Sequence, residues 1–108
     1  MLHQLLSPVM QQYAVDAHSL EQARFFLGLS LSLQGKYAEA EEQLRLVLNS
    51  AWGADLAKRA LVLFALAKAC QYQAKHVPAV ELFSDLIQRE PSHAHAYFRR
   101  AWSHKVKQ

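Results

Sequence analysis

The sequence predicts an all-α protein of about six helices, and three observations carry this prediction. Apolar residues recur at helical spacing almost throughout the chain, without the period-two alternation that marks strands. The 108 residues include only three glycines and three prolines, so few positions interrupt a helix. Hydrophobic residues make up 52% of the chain, which is enough for one domain with its own core. Short connections between the helices predict that neighbours are antiparallel.

The N-terminal stretch predicts a helix of its own. Pro8 would remove a backbone donor in the middle of a helix, so we place the start at Ser7 and Pro8, with Ser7 as the cap. Ser19, followed three residues later by Gln22, is a capping-box pattern. This pattern predicts the start of a second helix, which ends at Gly35.

Four further helices are expected after Gly35, separated by turn residues. The stretch around Trp52 and Gly53 divides the first of them from the second. Their predicted bounds are about Tyr37 to Asn49, Ala54 to Gln73, Val77 to Arg89, and Pro91 to the C-terminus.

Two stretches of the chain share one pattern of small and bulky residues. The matching pairs of positions are Gly28 and Ala67, Ala40 and Ala79, Leu44 and Phe83, and Val47 and Leu86. A small residue in the first helix of each stretch allows the second helix to approach closely. A third copy begins near Ala94 with Tyr97 and Ala101, and it stops after one helix.

This pattern resembles the unit of the tetratricopeptide-repeat (TPR) family, a helical hairpin with a period of about 34 residues. The resemblance implies a right-handed α-solenoid of stacked antiparallel hairpins, a TPR superhelix. It divides the chain into an N-terminal helix over 1–18 and repeats over 19–108, with units at 21–54 and 60–93 and a half unit or capping helix at 94–108. Arg24 departs from the family pattern, and so does Trp52, where proline is usual. The two unit starts lie 39 residues apart, so the link between them is longer than standard.

In TPR proteins, one side of the first helix of each unit lines a concave groove that binds peptides. The fifth place of that helix is phenylalanine in all three copies, and a helix that is apolar on two sides must be covered twice. The same faces also carry Ser32, Leu33 and Gln71. We expect the groove to comprise Phe25, Leu29, Phe64, Lys68, Tyr72, His95, Phe98, Arg99, Trp102 and Lys105. Such a groove suits an apolar peptide with some acidic residues.

The alternative is that this stripe is covered within the protein. The cover could be the N-terminal helix around residues 9–17, a symmetric copy, or the rest of a longer array. The chain would then be a structural scaffold segment that self-associates or stacks within a larger TPR assembly. Nothing in the third copy covers the core side of its helix, so we expect a fragment with Tyr97, Ala101 and Trp102 partly exposed or buried against a neighbour. A last helix that acts as a solvating cap would also fit.

Two kinds of TPR partner bear on this groove. Members that bind the tails of heat-shock chaperones hold a carboxylate with Lys, Asn and Arg side chains. The matching positions here are Phe25, Leu29, Ala65, His95 and Arg99, of which only Arg99 fits, so tail capture is not expected. The run from Arg24 to Leu29 is somewhat similar to the small TPR chaperones of type III secretion systems, which hold apolar segments of secreted proteins.

The sequence carries no motif for catalysis. It has no glycine-rich phosphate loop and no nucleophile elbow, so we expect neither enzyme activity nor a cofactor. His93 and His95 are two residues apart and do not face each other on a helix, so no metal site is expected. Cys70, the single cysteine, lies in an apolar run and predicts a buried, inert thiol in a reducing compartment, the cytoplasm.

The charge pattern favours neither nucleic acid nor membrane. The net charge is +3, and basic residues concentrate at the C-terminal end, where they complement a helix dipole and solvate it. Nucleic-acid binding is therefore less expected than protein binding. No apolar run approaches the roughly 20 residues that a membrane-spanning helix needs.

Overall fold

A computed structural model describes the backbone of residues 17–107 and the side chains of residues 20–106. The predicted helix over 1–18, with its start at Ser7 and Pro8, lies outside these residues except for its last two positions. The regular structure within residues 17–107 is entirely helical, which confirms the all-α class. They form α1 (Ala17–Leu33), α2 (Tyr37–Leu48), a short 3-10 turn (Trp52–Ala54), α3 (Leu56–Tyr72), α4 (His76–Arg89) and α5 (Ala94–Lys107).

Equivalent turns join α1 to α2 and α3 to α4. Gly35 has a φ of +80° and Ala74 a φ of 62°, so both lie in the left-handed region. In each turn the next residue donates its N–H to a carbonyl in the preceding helix, Lys36 to Leu31 and Lys75 to Cys70, both at 2.9 Å. Glycine adopts this conformation without steric cost, whereas alanine does so at a cost of about 1 kcal/mol.

Several helix starts differ from the sequence prediction. The helix expected from Ala54 begins at Leu56, because the Asp55 side chain accepts the Lys58 N–H at 3.1 Å and caps α3. The prediction that Ser19 caps a helix is wrong, because α1 already includes Ala17 and His18. Ala17 and His18 are both compatible with a helix, since neither is a glycine or proline, and the helix therefore runs through Ser19 without a break.

The core centres on α3, with neighbouring helices packed on each other in chain order and α1 also touching α3. The side chains of Leu63, Leu66 and Phe83 are fully buried in it. Ala40 and Ala79 are also fully buried, which confirms their predicted place at close helix contacts. A Cβ at Gly28 would lie 2.8 Å from the Leu44 side chain, so only glycine allows this approach without a shift of Leu44.

The long link between α2 and α3 forms part of the core. Its 3-10 turn buries Trp52, whose ring centroid lies 5.2 Å from that of Phe25. Phe25 is consequently 6% exposed. The expected exposure of Phe25 in an open groove is therefore wrong, because the additional residues of the link supply an aromatic cover for it.

Candidate peptide-binding groove

An open groove of about 430 Å³ lies between α1 and α3, beside the start of α2. Its lining residues are Leu29, Ser32 and Leu33 of α1, Tyr37 of α2, and Ala65, Lys68, Ala69 and Tyr72 of α3. The two alanines are one helical turn apart, and their short side chains are buried, so α3 leaves space beside α1. Leu33 is 90% exposed at the rim. The groove thus offers apolar walls that are open to a ligand.

The groove brings together three of the ten predicted site residues, Leu29, Lys68 and Tyr72. Ser32 and Leu33 belong to the same predicted helix face and also line it. The predicted set omits Tyr37, Ala65 and Ala69. The sequence signal for Ala65 and Ala69 was their spacing by one helical turn on α3. Tyr37 had no such signal, because it reaches the groove only through the packing of α2.

Tyr72 forms one end of the groove. Its ring stacks on Tyr37, with the centroids 4.9 Å apart and the planes inclined by 22°. Arg99 of α5 donates to the Tyr72 hydroxyl at 3.3 Å, and its guanidinium lies 5.5 Å from the ring centroid. This hydrogen bond and the positive charge of Arg99 lower the pKa of Tyr72. Arg99, a fourth predicted residue, therefore adjoins the groove at this end.

A buried polar network holds Arg99 in place. Gln71 is buried and accepts from Arg99 Nη1 at 2.9 Å, while its own Nε2 donates to the Arg99 carbonyl at 2.9 Å. The same Nε2 donates to Ser103 Oγ at 2.7 Å, and Ser103 is fully buried. The expectation that Gln71 shares an open face with Lys68 is wrong, because α5 covers it and satisfies its amide.

Phe64 supports Lys68 and does not line the groove. The Lys68 Nζ lies 4.9 Å from the centroid of the Phe64 ring, close enough for a cation–π contact. On its inner side Phe64 meets Phe83 edge-on at 6.1 Å and the His93 ring at 4.8 Å. Phe64 is consequently only partly buried, between the surface and the core.

The remaining predicted residues form a separate exposed row on α5. They are His95, Phe98, Trp102 and Lys105, and all four are exposed. Phe98 and Trp102 are one turn apart, so their rings share one side of the helix. None of the four lines the groove. Tyr97, Ala101 and Trp102 are exposed, which confirms the exposure expected for them.

An ion-pair cluster fixes the end of the groove near Tyr37. The Glu41 carboxylate is largely buried and accepts at 2.9 Å from Arg45, Gln73 and Lys75. Gln73 Nε2 also donates a hydrogen bond to the Tyr37 carbonyl at 3.3 Å. Burial alone would raise the pKa of Glu41, but these hydrogen bonds outweigh it and lower the pKa to about 2. The cluster ties α2 to the turn that follows α3, and so holds Tyr37 beside Tyr72.

Other reactive groups lie away from the groove. Cys70 is buried, as predicted, and burial raises the pKa of its thiol, which disfavours the nucleophilic thiolate. In the part of the chain that the structure describes, no three histidine, cysteine or acidic side chains group as metal ligands would.

None of the helices described is both long and apolar enough to cross a membrane. Comparisons with known protein families, curated proteins and solved structures give no match.

Proposed function

We propose that this chain is a protein–protein interaction module of the TPR type, and that its groove binds an apolar peptide segment of a partner protein. The observation that carries the proposal is the open space of about 430 Å³ between α1 and α3, with apolar walls. Leu29, Leu33 and the two alanines supply apolar contact, and the Tyr37–Tyr72 stack supplies a rigid aromatic wall. Grooves of this kind bind extended or helical segments through a few apolar anchors.

A right-handed solenoid is the arrangement that we propose for the helices. Each helix packs on its neighbours in chain order, and the described part measures 52 × 26 × 17 Å, which is elongated. The left-handed residues Gly35 and Ala74 stand at matching places in two consecutive hairpins. Both features support a repeat array, in which each unit contacts mainly the next one.

The charges around the groove favour a ligand with some acidic residues. Lys68 lines the groove, Arg99 adjoins its Tyr72 end, and no aspartate or glutamate is among its lining residues. Both residues are partly exposed, and charges at the edge of an interface act mainly on the association rate and on salt dependence. We therefore assign affinity to the apolar walls and a secondary, tuning role to the two cations.

We also propose that the protein acts by binding and not by catalysis. The shifted pKa values of Glu41, Cys70 and Tyr72 all have structural causes in the ion-pair cluster, in burial and in the contact with Arg99. Glu41 and Cys70 do not line the groove. Tyr72 does line it, and its ring also stacks on Tyr37.

The test is a groove-filling substitution with a matched control. Ser32 lines the groove on α1, whereas Ser30 lies on the same helix, is exposed and is absent from the lining. A peptide is first selected from a random displayed library on immobilised protein, and its affinity is then measured by calorimetry for wild type, Ser32→Trp and Ser30→Trp. Tryptophan at position 32 occupies the space that the peptide needs, so its affinity should fall by thirtyfold or more, which corresponds to about 2 kcal/mol.

Ser30→Trp adds the same side chain outside the groove and should change the affinity by less than about twofold. Circular dichroism of both variants checks that the helices remain intact. An unchanged affinity in Ser32→Trp would mean that the selected peptide binds elsewhere, and equal losses in both variants would point to an effect on α1 itself. Either result would contradict the groove proposal.

The alternative function is that of a structural scaffold segment that self-associates. The observation that favours it is the exposed row on α5, where Phe98 and Trp102 present adjacent aromatic rings. Light scattering of the purified chain over a range of concentrations separates the two functions. A constant monomer mass favours the peptide groove, whereas growth of the mass with concentration, abolished by Phe98→Ala together with Trp102→Ala, favours assembly.

A further inference from the structure

The last helix, α5, buries few of its own side chains. Of those that the structure describes, only Ala96 and Ser103 are buried. Polar contacts therefore contribute much to its docking. The network of Gln71, Arg99 and Ser103 supplies one group of them, and Arg100 adds a hydrogen bond of 3.4 Å to Ser84 of α4.

His93 caps the first turn of α5. Its Nδ1 accepts the backbone N–H of Ala96 at 3.2 Å, which satisfies one of the donors that a helix start leaves without an intrahelical partner. Its ring also lies 4.8 Å from the Phe64 ring of α3, so the cap sits where α5 meets the body of the protein. Accepting this hydrogen bond requires a free lone pair on Nδ1, and hence a neutral imidazole.

We infer that protonation of His93 weakens the docking of α5 on the rest of the chain at mildly acidic pH. An imidazolium carries N–H groups on both ring nitrogens, so it can no longer accept from Ala96. It also places a positive charge at the helix N-terminus, where the peptide dipoles are already positive. Histidine changes its charge in this pH range in general, whereas serine, asparagine and aspartate caps keep an acceptor at pH 5.5.

Three parts of the chain adjoin His93, namely α3, α5 and the connection before α5. On α3, the Lys68 Nζ lies 4.9 Å from the Phe64 ring that His93 also contacts. The helix α5 contains no acidic residue, and His95 is its nearest titratable group to the cap. In the connection before α5, Glu90 accepts the His93 N–H with its backbone carbonyl at 3.0 Å. Among the described side chains, no carboxylate forms an ion pair with His93.

A second histidine contacts α5 without the same consequence. The Nδ1 of His76 lies 3.4 Å from Ser103 Oγ. A hydroxyl both donates and accepts, so this contact persists when His76 gains a proton. The dependence on pH is therefore assigned to His93 alone.

Weaker docking of α5 would alter the groove. The helix carries Arg99, which donates to the Tyr72 hydroxyl at the groove end, and it covers Gln71. At mildly acidic pH Arg99 would therefore be held less firmly at this end of the groove. The inference concerns the docking of a helix and holds whichever ligand the groove takes.

Hydrogen exchange of the full chain tests the inference without any partner. Protection factors, which correct for the intrinsic pH dependence of exchange, are measured at pH 7.5 and 5.5 for wild type, His93→Asn and His95→Asn. In wild type the protection of α5 amides should fall about fivefold between the two pH values, the typical effect of losing one helix cap. Amides of α3 around Leu63 serve as the internal reference and should change by less than about twofold.

Asparagine caps helices and does not titrate, so His93→Asn should abolish this fall in protection, while His95→Asn should retain it. His93→Asp provides a second non-titrating cap if the asparagine variant folds poorly by circular dichroism. Constant α5 protection in wild type would overturn the inference. So would an equal fall in wild type and in the folded capping variant, or a fall of the same size in α3.

Discussion

Phe25 and Phe98 occupy matching places in the sequence pattern, yet Phe25 is 6% exposed and Phe98 is 73% exposed. The difference lies in their neighbours. Near α1, the link before α3 folds into a 3-10 turn that packs Trp52 on Phe25. Near α5, no described element covers the equivalent ring. The exposure of a repeated aromatic position is therefore set by the elements that pack against it, and not by the residue itself.

The same comparison separates two ways of holding helices together. The α1 end is closed by aromatic and aliphatic packing around Trp52, Phe25 and Leu44. The α5 end is held by the polar network around Gln71 and by the His93 cap. Between them, the groove is bounded by the Tyr37–Tyr72 stack and by the Glu41 cluster. Substitutions should therefore have large effects on stability at the first end and small ones at the second.

The largest expected effect is that of Phe25→Ala. Removal of a buried phenylalanine typically costs about 3–5 kcal/mol of unfolding free energy, and here it also uncovers Trp52. Phe98→Ala removes a ring that is mostly in water and should change stability by less than about 0.5 kcal/mol. Urea denaturation of both variants, with a common slope, measures the difference. Equal losses would mean that the two rings have equivalent surroundings, and would break the comparison.

Gly53→Ala should have the next largest effect. A Cβ at this position would lie 2.5 Å from the Val47 carbonyl oxygen and 2.6 Å from that of Leu48. Both are backbone atoms that cannot rotate away, so the turn carrying Trp52 must move, at a cost of about 1–3 kcal/mol. Ala51→Ser, at an exposed position in the same link, is the control and should be neutral. A neutral Gly53→Ala by thermal or urea unfolding would show that the turn is not tightly packed on α2.

The third expectation concerns the pH dependence of the Glu41 cluster. The pKa of Glu41 in the folded protein, about 2, is below its ordinary value of 4.5, so its stabilisation is complete above the ordinary value and is lost as pH falls toward 2. Arg45 and Lys75 are about half exposed, and screening by water reduces the effect to on the order of 1–2 kcal/mol. Glu41→Gln should lose this amount near pH 7 and much less near pH 3.

Urea denaturation of wild type and Glu41→Gln from pH 7 to pH 3 measures this difference. Glu42→Gln, at an exposed position next to it, is the control and should be close to neutral at both ends of the range. If the difference in unfolding free energy between wild type and Glu41→Gln stayed constant down to pH 3, the ionised carboxylate could not be the cause of that difference.

The smallest effect is expected for Lys68→Ala on peptide affinity. Lys68 lines the groove over the Phe64 ring, and its side chain is only partly buried. Its loss should weaken binding of an acidic, apolar peptide by less than roughly fivefold, and salt at about 0.5 M should remove most of that difference. A larger loss that persists at high salt would make Lys68 an anchor of the site and the groove more polar than we describe.

Much of the fold could be predicted because its signals are local. Gly35 marks the end of a helix because glycine readily adopts the left-handed conformation that the turn requires. Gly28, Ala40 and Ala79 could be placed at helix contacts from the repeated spacing, since close approach requires small residues. Helix bounds from sequence consequently agree with the structure to within a few residues after Gly35.

The candidate site was less predictable because it depends on contacts between distant residues. The burial of Phe25 requires Trp52, which stands in a link without a repeat counterpart. Gln71 has the spacing of a groove residue, but Ser103 and the Arg99 carbonyl, about 30 residues later, bind its amide. Leu29, Lys68 and Tyr72 could be identified from the spacing of residues within their own helices. The place of Tyr37, by contrast, follows from how α2 packs.

The central claim is that the space between α1 and α3 is the binding surface. Its most direct test is to titrate the isotopically labelled chain with the selected peptide and to follow amide and methyl resonances by NMR. We predict that the largest shifts occur at Leu29, Leu33, Ala65 and Ala69, with little change at the exposed Leu46 and Leu61 outside the groove. Shifts concentrated on Phe98 and Trp102 of α5, with the groove resonances unchanged, would contradict this account.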